Sequence, residues 1–374
     1  MKWAFWIAAV VIAYTYAGYP CWLRLRTLWR LRPVKRGAWE PNVSIVMIVR
    51  NEEEFLEKKL QNVLSLDYPA DRCEIVVVSD GSTDGTEAIL RQHGLNPRIH
   101  AVMTALPEGK ASRLNDAMVW AQGELVVFTD VRQKIESGAI RLLVENFADH
   151  DVGSASGELM LGDPEIGEAT RGMGLYWRIE KAIRELESAS GSVVGATGAL
   201  YAVRRHLVPT LPAGTILDDV YIPMSVVRQG LRVVFDGRAR AWDKPDLGAK
   251  REFARKVRTL GGNYELLQLA PWLLSSANPM WFEFISHKVL RLLVPFALSF
   301  LLAGSLILPG PVYRIGLLLQ LALYGLSLAA FARLFKSGPV ARAADAAGVF
   351  VLLNTAALVA FGNFVAGRRA TWSR

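Results

Sequence analysis

The sequence predicts an α/β fold with a doubly wound, mostly parallel sheet, set between hydrophobic segments that can cross a membrane. Short apolar runs alternate with helical patterns between residues 43 and 130, and several of these runs stop at an acidic residue. These two observations predict the sheet. Four stretches without Asp, Glu, Lys or Arg approach the ~20 residues that a spanning helix needs. They are 3–23, 292–313, 315–332 and 346–367.

Composition and charge support membrane association. Of the 374 residues, 52% are hydrophobic, which exceeds the usual share of a soluble protein, and the net charge is +8. Much of the basic excess directly follows the first apolar stretch, where a basic collar on the cytoplasmic side of a membrane is expected rather than a nucleic-acid site. The residues are Arg24, Arg26, Arg30, Arg32, Lys35 and Arg36.

Two features of the ends stay open at the level of sequence. Residues 3–19 could instead be a signal peptide with a weak cleavage position at Ala17. If the sheet domain is cytoplasmic, three later spans would place Arg368, Arg369 and Arg374 outside the membrane. That placement conflicts with the rule that basic residues favour the cytoplasmic side, so one C-terminal segment could instead be re-entrant or lie in the membrane interface. Cys21 and Cys73 have no metal-ligand spacing and suggest no disulfide.

The periodicity predicts individual elements. Strands are expected at 43–49, 74–79, 98–103 and 124–129, with helices at 53–66, from Thr83 or Asp84 to 93, and at 111–121. Further along we expect a strand at 152–161 that leaves the sheet, a long helix at 165–190, a strand at 198–203, a helix at 218–228 and an amphipathic interface helix at 251–267.

These elements predict six regions. They are an N-terminal transmembrane helix (1–23), a basic juxtamembrane linker (24–37), an α/β domain (38–248), amphipathic interface helices (249–287), three C-terminal transmembrane helices (288–367) and a basic tail (368–374).

Polar residues at the ends of the first two predicted strands point to a nucleotide site. Arg50, Asn51 and Glu52 close the first strand, and Asp80 closes the second. Carboxyl ends of parallel strands meet at one edge, where ligands bind in open α/β sheets. Lys110 follows a glycine at the start of a helix, a placement that suits a diphosphate.

Two further acidic sites suggest metal binding and base catalysis. Asp130 ends the fourth predicted strand and offers the hard oxygen ligand that Mg²⁺ or Mn²⁺ prefers. Asp218 and Asp219 open a helix, where one could act as a general base whose proton affinity the other raises. Arg255 and Arg258 on the interface helix could stabilise a departing diphosphate.

Taken together, these motifs resemble the family 2 inverting glycosyltransferases, in particular the membrane-integrated relatives of cellulose, chitin and hyaluronan synthases. The resemblance covers roughly residues 40–260. It implies a GT-A-type fold, with Asp80 at the nucleotide, Asp130 at the metal and Asp219 as the base. Gly198 and Tyr201 fall where the family shapes its acceptor pocket.

The sequence departs from the family pattern twice. The family's Asp-x-Asp reads Asp130-Val131-Arg132, so Arg132 stands in place of the second acid. The family's Gln-x-x-Arg-Trp reads Arg255-Lys256-Val257-Arg258-Thr259, which keeps the arginine and lacks the tryptophan. These departures put metal ligation and the making of a long polymer in doubt.

The resemblance implies a function. We expect a membrane-bound transferase that uses a nucleotide-diphosphate sugar, with a UDP-sugar as the expected donor and Mg²⁺ or Mn²⁺ as the cofactor. Its expected acceptor is a lipid-linked glycan or growing exopolysaccharide at the cytoplasmic face of a bacterial inner membrane. Membrane lipids, a homo-oligomer or export proteins could be partners; no nucleic acid is expected. The alternatives are a glycolipid synthase, a processive synthase that secretes its product, a non-catalytic nucleotide-sugar sensor and a nucleotidyltransferase.

Overall fold

The computed structural model describes residues 1–163, 168–169, 174–244, 249–335 and 337–368. Its first element is helix α1, Lys2–Trp29. One π-helical turn, Tyr14–Gly18, lies within this helix. Residues 30–42 form no regular element and lead from α1 to the sheet.

Four parallel strands and their connecting helices form the first half of the sheet. They are β1 (Val43–Val49), α2 (Glu53–Leu64), β2 (Cys73–Asp80), α3 (Thr86–His93), β3 (Ile99–Thr104), α4 (Lys110–Trp120) and β4 (Leu125–Phe128). The spatial order is β3-β2-β1-β4. Every residue of β1 is buried, because helices cover both faces of a parallel sheet. The predicted parallel sheet is therefore confirmed, with small differences at the element ends.

The second half of the sheet mixes strand directions. It contains β5 (Lys134–Ile135), α5 (Ala139–Glu145), β6 (Val152–Asp163), β7 (Glu168–Ala169), α6 (Gly174–Ser190), β8 (Tyr201–Arg204), α7 (Asp218–Arg228) and β9 (Arg232–Asp243). The order continues β4-β8-β6-β9-β5. Strand β8 runs antiparallel to both β4 and β6, whereas β6 and β9 are parallel. Antiparallel pairs thus extend the parallel half into one mixed sheet.

Three predictions for this half need correction. The strand expected to leave the sheet, 152–161, lies inside it as β6, because it pairs with β8 and β9. Strand β9 was not predicted. Of the helix expected at 165–190, Glu168 and Ala169 belong to β7, and the described helix begins at Gly174; residues 165–167 and 170–173 lie outside the described residues.

Two apolar layers pack on opposite faces of the sheet. Alternate residues of β1 divide between them: Ile45 and Met47 join one layer, and Val46 and Ile48 join the other. Helix α2 contributes Leu56, Leu60 and Val63 to the first layer. Helix α4 covers the second layer with Leu114 and Ala117. The strand ends are thereby held on a packed support.

The remaining helices form the membrane-facing part. They are α8 (Ala249–Leu269), α9 (Trp281–Ile307), α10 (Pro311–Phe331) and α11 (Pro339–Val365). Helices α1, α9, α10 and α11 are long and apolar enough to cross a membrane. Helix α9 starts before the charge-free run at 292–313, because such a run marks the apolar centre of a helix and misses its polar end. Helix α8 contacts α11 through Tyr264, whose ring lies 5.5 Å from that of Phe361.

Candidate active site

The loops after β1 and β2 bind each other. The backbone N–H of Asn51 donates to Ser82 Oγ at 3.2 Å, and the N–H of Thr83 donates to Asn51 Oδ1 at 2.8 Å. Asn51 has a positive φ of 52°, which asparagine tolerates better than most residues. The N–H of Glu52 donates to Thr86 Oγ1 at 2.8 Å. The two predicted strand ends are therefore adjacent, and Arg50, half-buried, directly follows β1.

Asp80 is fully buried at the end of β2. Its Oδ1 accepts the N–H of Glu108 at 2.7 Å and Arg113 Nε at 3.0 Å, and its Oδ2 accepts the N–H of Gly109 at 3.0 Å. Gly109 has φ +92°, a conformation that favours glycine. Asp80 thus fixes the loop that leads into α4 at Lys110. Its predicted contact with a nucleotide stays a prediction.

Lys110 joins the two acidic sites that the sequence singled out separately. Its Nζ lies 3.0 Å from Asp130 Oδ1 and 3.1 Å from Asp218 Oδ1. Burial alone would lower the pKa of this ammonium, but Asp130, Asp218 and Asp219 raise it above its usual value. Lys110 therefore stays charged in the cleft, as a diphosphate-binding cation must.

Asp219 is a half-buried carboxylate with increased basicity. Burial and the neighbouring charge of Asp218 raise its pKa to about 6, against the opposing effects of Lys110 and Lys288. Its Oδ2 accepts the N–H of Gly198 at 3.2 Å. A general base near neutral pH has this property: it is ionised yet binds a proton more readily than an exposed aspartate.

Gly198 separates two carboxylates. A Cβ atom at this position would lie 3.4 Å from Asp219 Oδ2 and 3.6 Å from Asp130 Oδ2. A side chain at this position would therefore contact both acids. Tyr201 lies deeper, where its hydroxyl donates to Asp218 Oδ2 at 3.3 Å and its ring stacks on Phe128 at 4.9 Å. Tyr201 is fully buried and therefore supports Asp218 from below the cleft.

Arg132 and Arg255 converge on Asp243, a buried acid at the end of β9 that the sequence analysis missed. Arg132 lies 3.9 Å from Asp243 Oδ1, and Arg255 lies 3.4 Å from Oδ2. Gln133 Nε2 donates to Oδ2 at 3.3 Å. Asp243 thus connects the loop after Asp130 to helix α8. In the sequence, Asp243 is the acid that ends the segment Arg240-Ala-Trp-Asp243. The strand that contains it carries too many charges to be recognised as a strand.

Lys59 was also missed. It is buried beneath the same loop, and its Nζ donates to Thr129 Oγ1 at 2.9 Å and to the backbone oxygen of Gln133 at 2.7 Å. Burial lowers the pKa of Lys59 to about 7, although Asp130 opposes this effect. A lone lysine on a helix reads as a surface residue, so no sequence signal marked it.

Arg258 was predicted to be a site residue, but the structure shows no contact between it and Asp130, Asp218 or Asp219. It lies on α8, half-buried, and makes no hydrogen bond or ion pair with any residue in the described part of the chain. Helix α8 instead packs against the segment that directly precedes the acids. A Cβ atom on Gly262 would lie 2.9 Å from Leu217 Cγ, directly before Asp218.

A divalent cation fits the donor set at Asp130. Within the described ranges, no three His, Cys, Asp or Glu side chains form a complete protein cage for a metal. Asp130 is 45% exposed, and its Oδ2 makes no hydrogen bond with the described residues. Mg²⁺ is commonly held by one or two carboxylates together with substrate phosphates, and a single exposed carboxylate matches that pattern.

Two curated proteins are similar to part of this chain. "Beta-monoglucosyldiacylglycerol synthase" of Synechocystis sp. is 28% identical over 186 residues, which are 48% of this chain and 39% of that protein. "Poly-beta-1,6-N-acetyl-D-glucosamine synthase" of Staphylococcus epidermidis is 24% identical over 238 residues, 62% of this chain and 56% of that protein. The chain therefore spans about half the length, or less, of these relatives.

A comparison with solved structures supports the fold. The mannosyltransferase PcManGT from Pyrobaculum calidifontis, solved with GDP-Man and Mn²⁺, superposes with a TM-score of 0.72 and 22% identity. The match covers 97% of this chain and 99% of that chain. Such a likeness establishes the GT-A fold, including the helices on either side of the sheet. Residues 44–210 match the family described as "Glycosyl transferase family 2".

Proposed function

We propose that this protein is a membrane-bound inverting glycosyltransferase. It transfers a sugar from a nucleotide-diphosphate sugar, most simply a UDP-sugar, to a hydroxyl of a lipid-linked glycan or growing exopolysaccharide. The observation that carries the proposal is the convergence of Lys110, Asp130 and Asp219 in one cleft, where a basic carboxylate faces a cation suited to phosphate.

In the proposed reaction, Asp219 accepts the proton of the acceptor hydroxyl. The hydroxyl oxygen bonds to the anomeric carbon as the bond from that carbon to the diphosphate oxygen breaks, and the bonding electrons leave with the nucleoside diphosphate. Gly198 lies next to both Asp219 and Asp130, where a side chain would contact the two acids. Lys110 stabilises the charge that develops on the leaving diphosphate. A single displacement inverts the anomeric centre, and no covalent enzyme intermediate is needed.

Asp130 would hold Mg²⁺ or Mn²⁺ together with oxygens of the donor. When bound, the metal would neutralise charge on the leaving diphosphate. Arg132 does not supply a second ligand, because it is a cation whose nearest acid is Asp243. The residues beneath the loop act by position: Lys59 and Asp243 hold the segment 129–133 in place.

The membrane orientation is proposed from charge. The basic residues after α1, including Arg24 and Arg30, favour the cytoplasmic side. The sheet would then work at the inner leaflet of a bacterial inner membrane, with four crossings by α1 and α9–α11. We also propose the domain limits 38–248 and 249–287.

A glycolipid synthase is the second candidate. The Synechocystis relative is named for a glucosyldiacylglycerol product, whereas the staphylococcal relative is named for a polymer. Product analysis separates the two: a single sugar on a lipid favours the glycolipid synthase, and a ladder of lengths favours a processive enzyme.

The test replaces the proposed base. Asp219→Asn should lower turnover by about 10²–10⁴, the usual contribution of a general base. Donor binding, measured by calorimetry with the purified protein in nanodiscs, should stay within a few fold. Nucleoside diphosphate release with and without Mn²⁺ is the activity readout. Asp151→Asn, a surface change at a 67% exposed side chain, is the matched control. Near-normal turnover of Asp219→Asn would contradict the assignment.

A further inference from the structure

Two buried polar side chains support the segment that contains Asp130. Lys59 of α2 and Thr129, which directly follows β4, are 2% and 4% exposed. The Nζ of Lys59 donates to Thr129 Oγ1 at 2.9 Å and to the backbone oxygen of Gln133 at 2.7 Å. Lys59 therefore holds both ends of the segment 129–133.

The hydroxyl of Thr129 connects this segment to a second one. A lysine ammonium only donates hydrogen bonds, and a threonine hydroxyl has a single proton to donate. Because Lys59 donates to Thr129 Oγ1, the hydroxyl proton is left for another acceptor. The backbone oxygen of Ala199 accepts it at 2.8 Å, whereas the backbone oxygen of Asp130 is farther away, at 3.3 Å. The hydrogen bonds thus run from Lys59 through Thr129 to Ala199.

Ala199 ends a second segment, residues 196–199, that binds the proposed base. The N–H of Ala196 donates to the backbone oxygen of Asp219 at 2.7 Å, and the N–H of Gly198 donates to Asp219 Oδ2 at 3.2 Å. The segment therefore holds both the main chain and the carboxylate of Asp219. A displacement of Ala199 would move the peptide units that make these bonds.

The bond from Thr129 to Ala199 lies where the backbone ladder ends. Strands β4 and β8 pair along their length, and the last pair on this side is Phe128 and Tyr201. Thr129 directly follows this pair on one strand, and Ala199 precedes it on the other. The ladder thus ends before it reaches Asp130, and the Thr129 side chain continues the connection between the two segments.

Burial makes these bonds costly to lose. When one partner of a buried hydrogen bond is removed, the other polar atom stays unpaired, and the cost exceeds the contribution of an average bond. Relief of that cost requires a shift of the segment 129–133 or 196–199, each of which bears on one of the two acids. A misplacement of reacting groups by about 1 Å can lower a rate about 10²-fold.

We propose that Lys59 and Thr129 are positioning residues that set the spacing between Asp130 and Asp219. They join the segment that carries the proposed metal ligand to the segment that holds the proposed base. The inference rests on the proposed transferase function and adds to it two buried residues that act through others.

The first test removes the hydroxyl of Thr129 and keeps the branched shape of the side chain. Thr129→Val should lower kcat about tenfold or more. The Kd of the donor, measured by calorimetry in nanodiscs, should stay within about threefold, because the diphosphate-binding Lys110 is unchanged. Thr129→Ser restores the hydroxyl and should keep kcat within about threefold of the wild type. Thr27→Val is the matched control: in α1 the hydroxyl of Thr27 also donates to a backbone oxygen, at 2.7 Å, and its loss should leave kcat unchanged.

The second test interrupts the same bonds at their other end. Lys59→Met should also lower kcat about tenfold. The double variant Lys59→Met/Thr129→Val should be at most about threefold slower than the slower single variant, because residues of one hydrogen-bond network do not act additively. If one of the two substitutions prevents folding, the other still tests the connection.

Hydrogen exchange followed by mass spectrometry gives a readout that needs no activity. Thr129→Val and Lys59→Met should speed the exchange of the N–H groups of residues 196–198, and Thr27→Val should not. Four results would overturn the proposal: wild-type kcat in both variants, unchanged exchange at 196–198, losses of kcat that multiply in the double variant, or a Thr129→Ser as slow as Thr129→Val. If exchange changes as expected while the wild type transfers no sugar, the connection between the segments stands and the proposed transferase function fails.

Discussion

The proton affinity of Asp219 is tuned by its neighbour, and Asp218→Asn tests that relation. The pKa of Asp219 stands at about 6 against an ordinary 3.8, and burial is the larger cause, followed by the charge of Asp218. The shift corresponds to roughly 3 kcal/mol between the two protonation states. Replacing Asp218 by asparagine removes the second cause and leaves the first, so the pKa of Asp219 should fall.

The sign of the effect follows from the role of the base. Asp219 must be ionised to accept a proton, so wild-type kcat/KM should fall as the pH drops through about 6. In Asp218→Asn this acid limb should move to lower pH, which leaves the variant relatively more active near pH 5. Near pH 8, where both forms are ionised, the variant should be slower, because its base is weaker.

The assay measures nucleoside diphosphate release between pH 4.5 and 8.5 under conditions of low donor. The amide introduced by Asp218→Asn would keep an oxygen for the hydroxyl of Tyr201, so the support beneath the cleft is retained. Asp151→Asn again serves as the control and should keep the wild-type limb. An acid limb that stays in place, or moves to higher pH, would refute the reasoning that Asp218 raises the pKa of the base.

Two further predictions concern the supports of the cleft. Gly262→Ala should lower kcat about tenfold, because the added Cβ would lie 2.9 Å from Leu217 and move the loop before the acids. Gly261→Ala, whose added Cβ would have no atom within 4 Å, should have little effect and is the control. Equal kinetics for both variants would contradict the packing argument. Lys59→Met should flatten the pH dependence of the melting temperature. The folded pKa of about 7 lies below the ordinary 10.5, so wild-type stability should rise with pH across that window, and scanning fluorimetry from pH 6.5 to 9 measures whether the rise is lost.

The parallel half of the fold was predictable because its signals are local. Strand β1 reads as an uninterrupted apolar run, and the run ending at Asp80 does the same for β2. Each lies next to its partner along the chain, so spacing and burial agree. The acids at these strand ends, and Asp218 at the start of α7, could likewise be recognised from sequence.

The second half depends on contacts between distant segments. Strand β9 contains Asp236 and Arg238, and charges of this kind predict a loop when read alone. In the fold, Asp236 is buried because Arg238 donates to it at 2.8 Å and Asn146 at 2.9 Å. Arg238 also lies 2.9 Å from Glu145 of α5, so this part of the ion-pair network forms only after α5 and β9 have met. Lys59 is hidden for the same reason, since its acceptors lie some 70 residues away.

The residues proposed to bind the donor and the residues proposed to act on the acceptor lie in different parts of the sequence. Asp80, Lys110 and Asp130 all come from one continuous stretch, whereas Asp219, the proposed base, comes from a later segment. A lineage could therefore exchange the later segments, and with them the molecule that receives the sugar, while the machinery for the activated sugar stays intact. The fold would thus allow different products to be made from the same activated sugar donor.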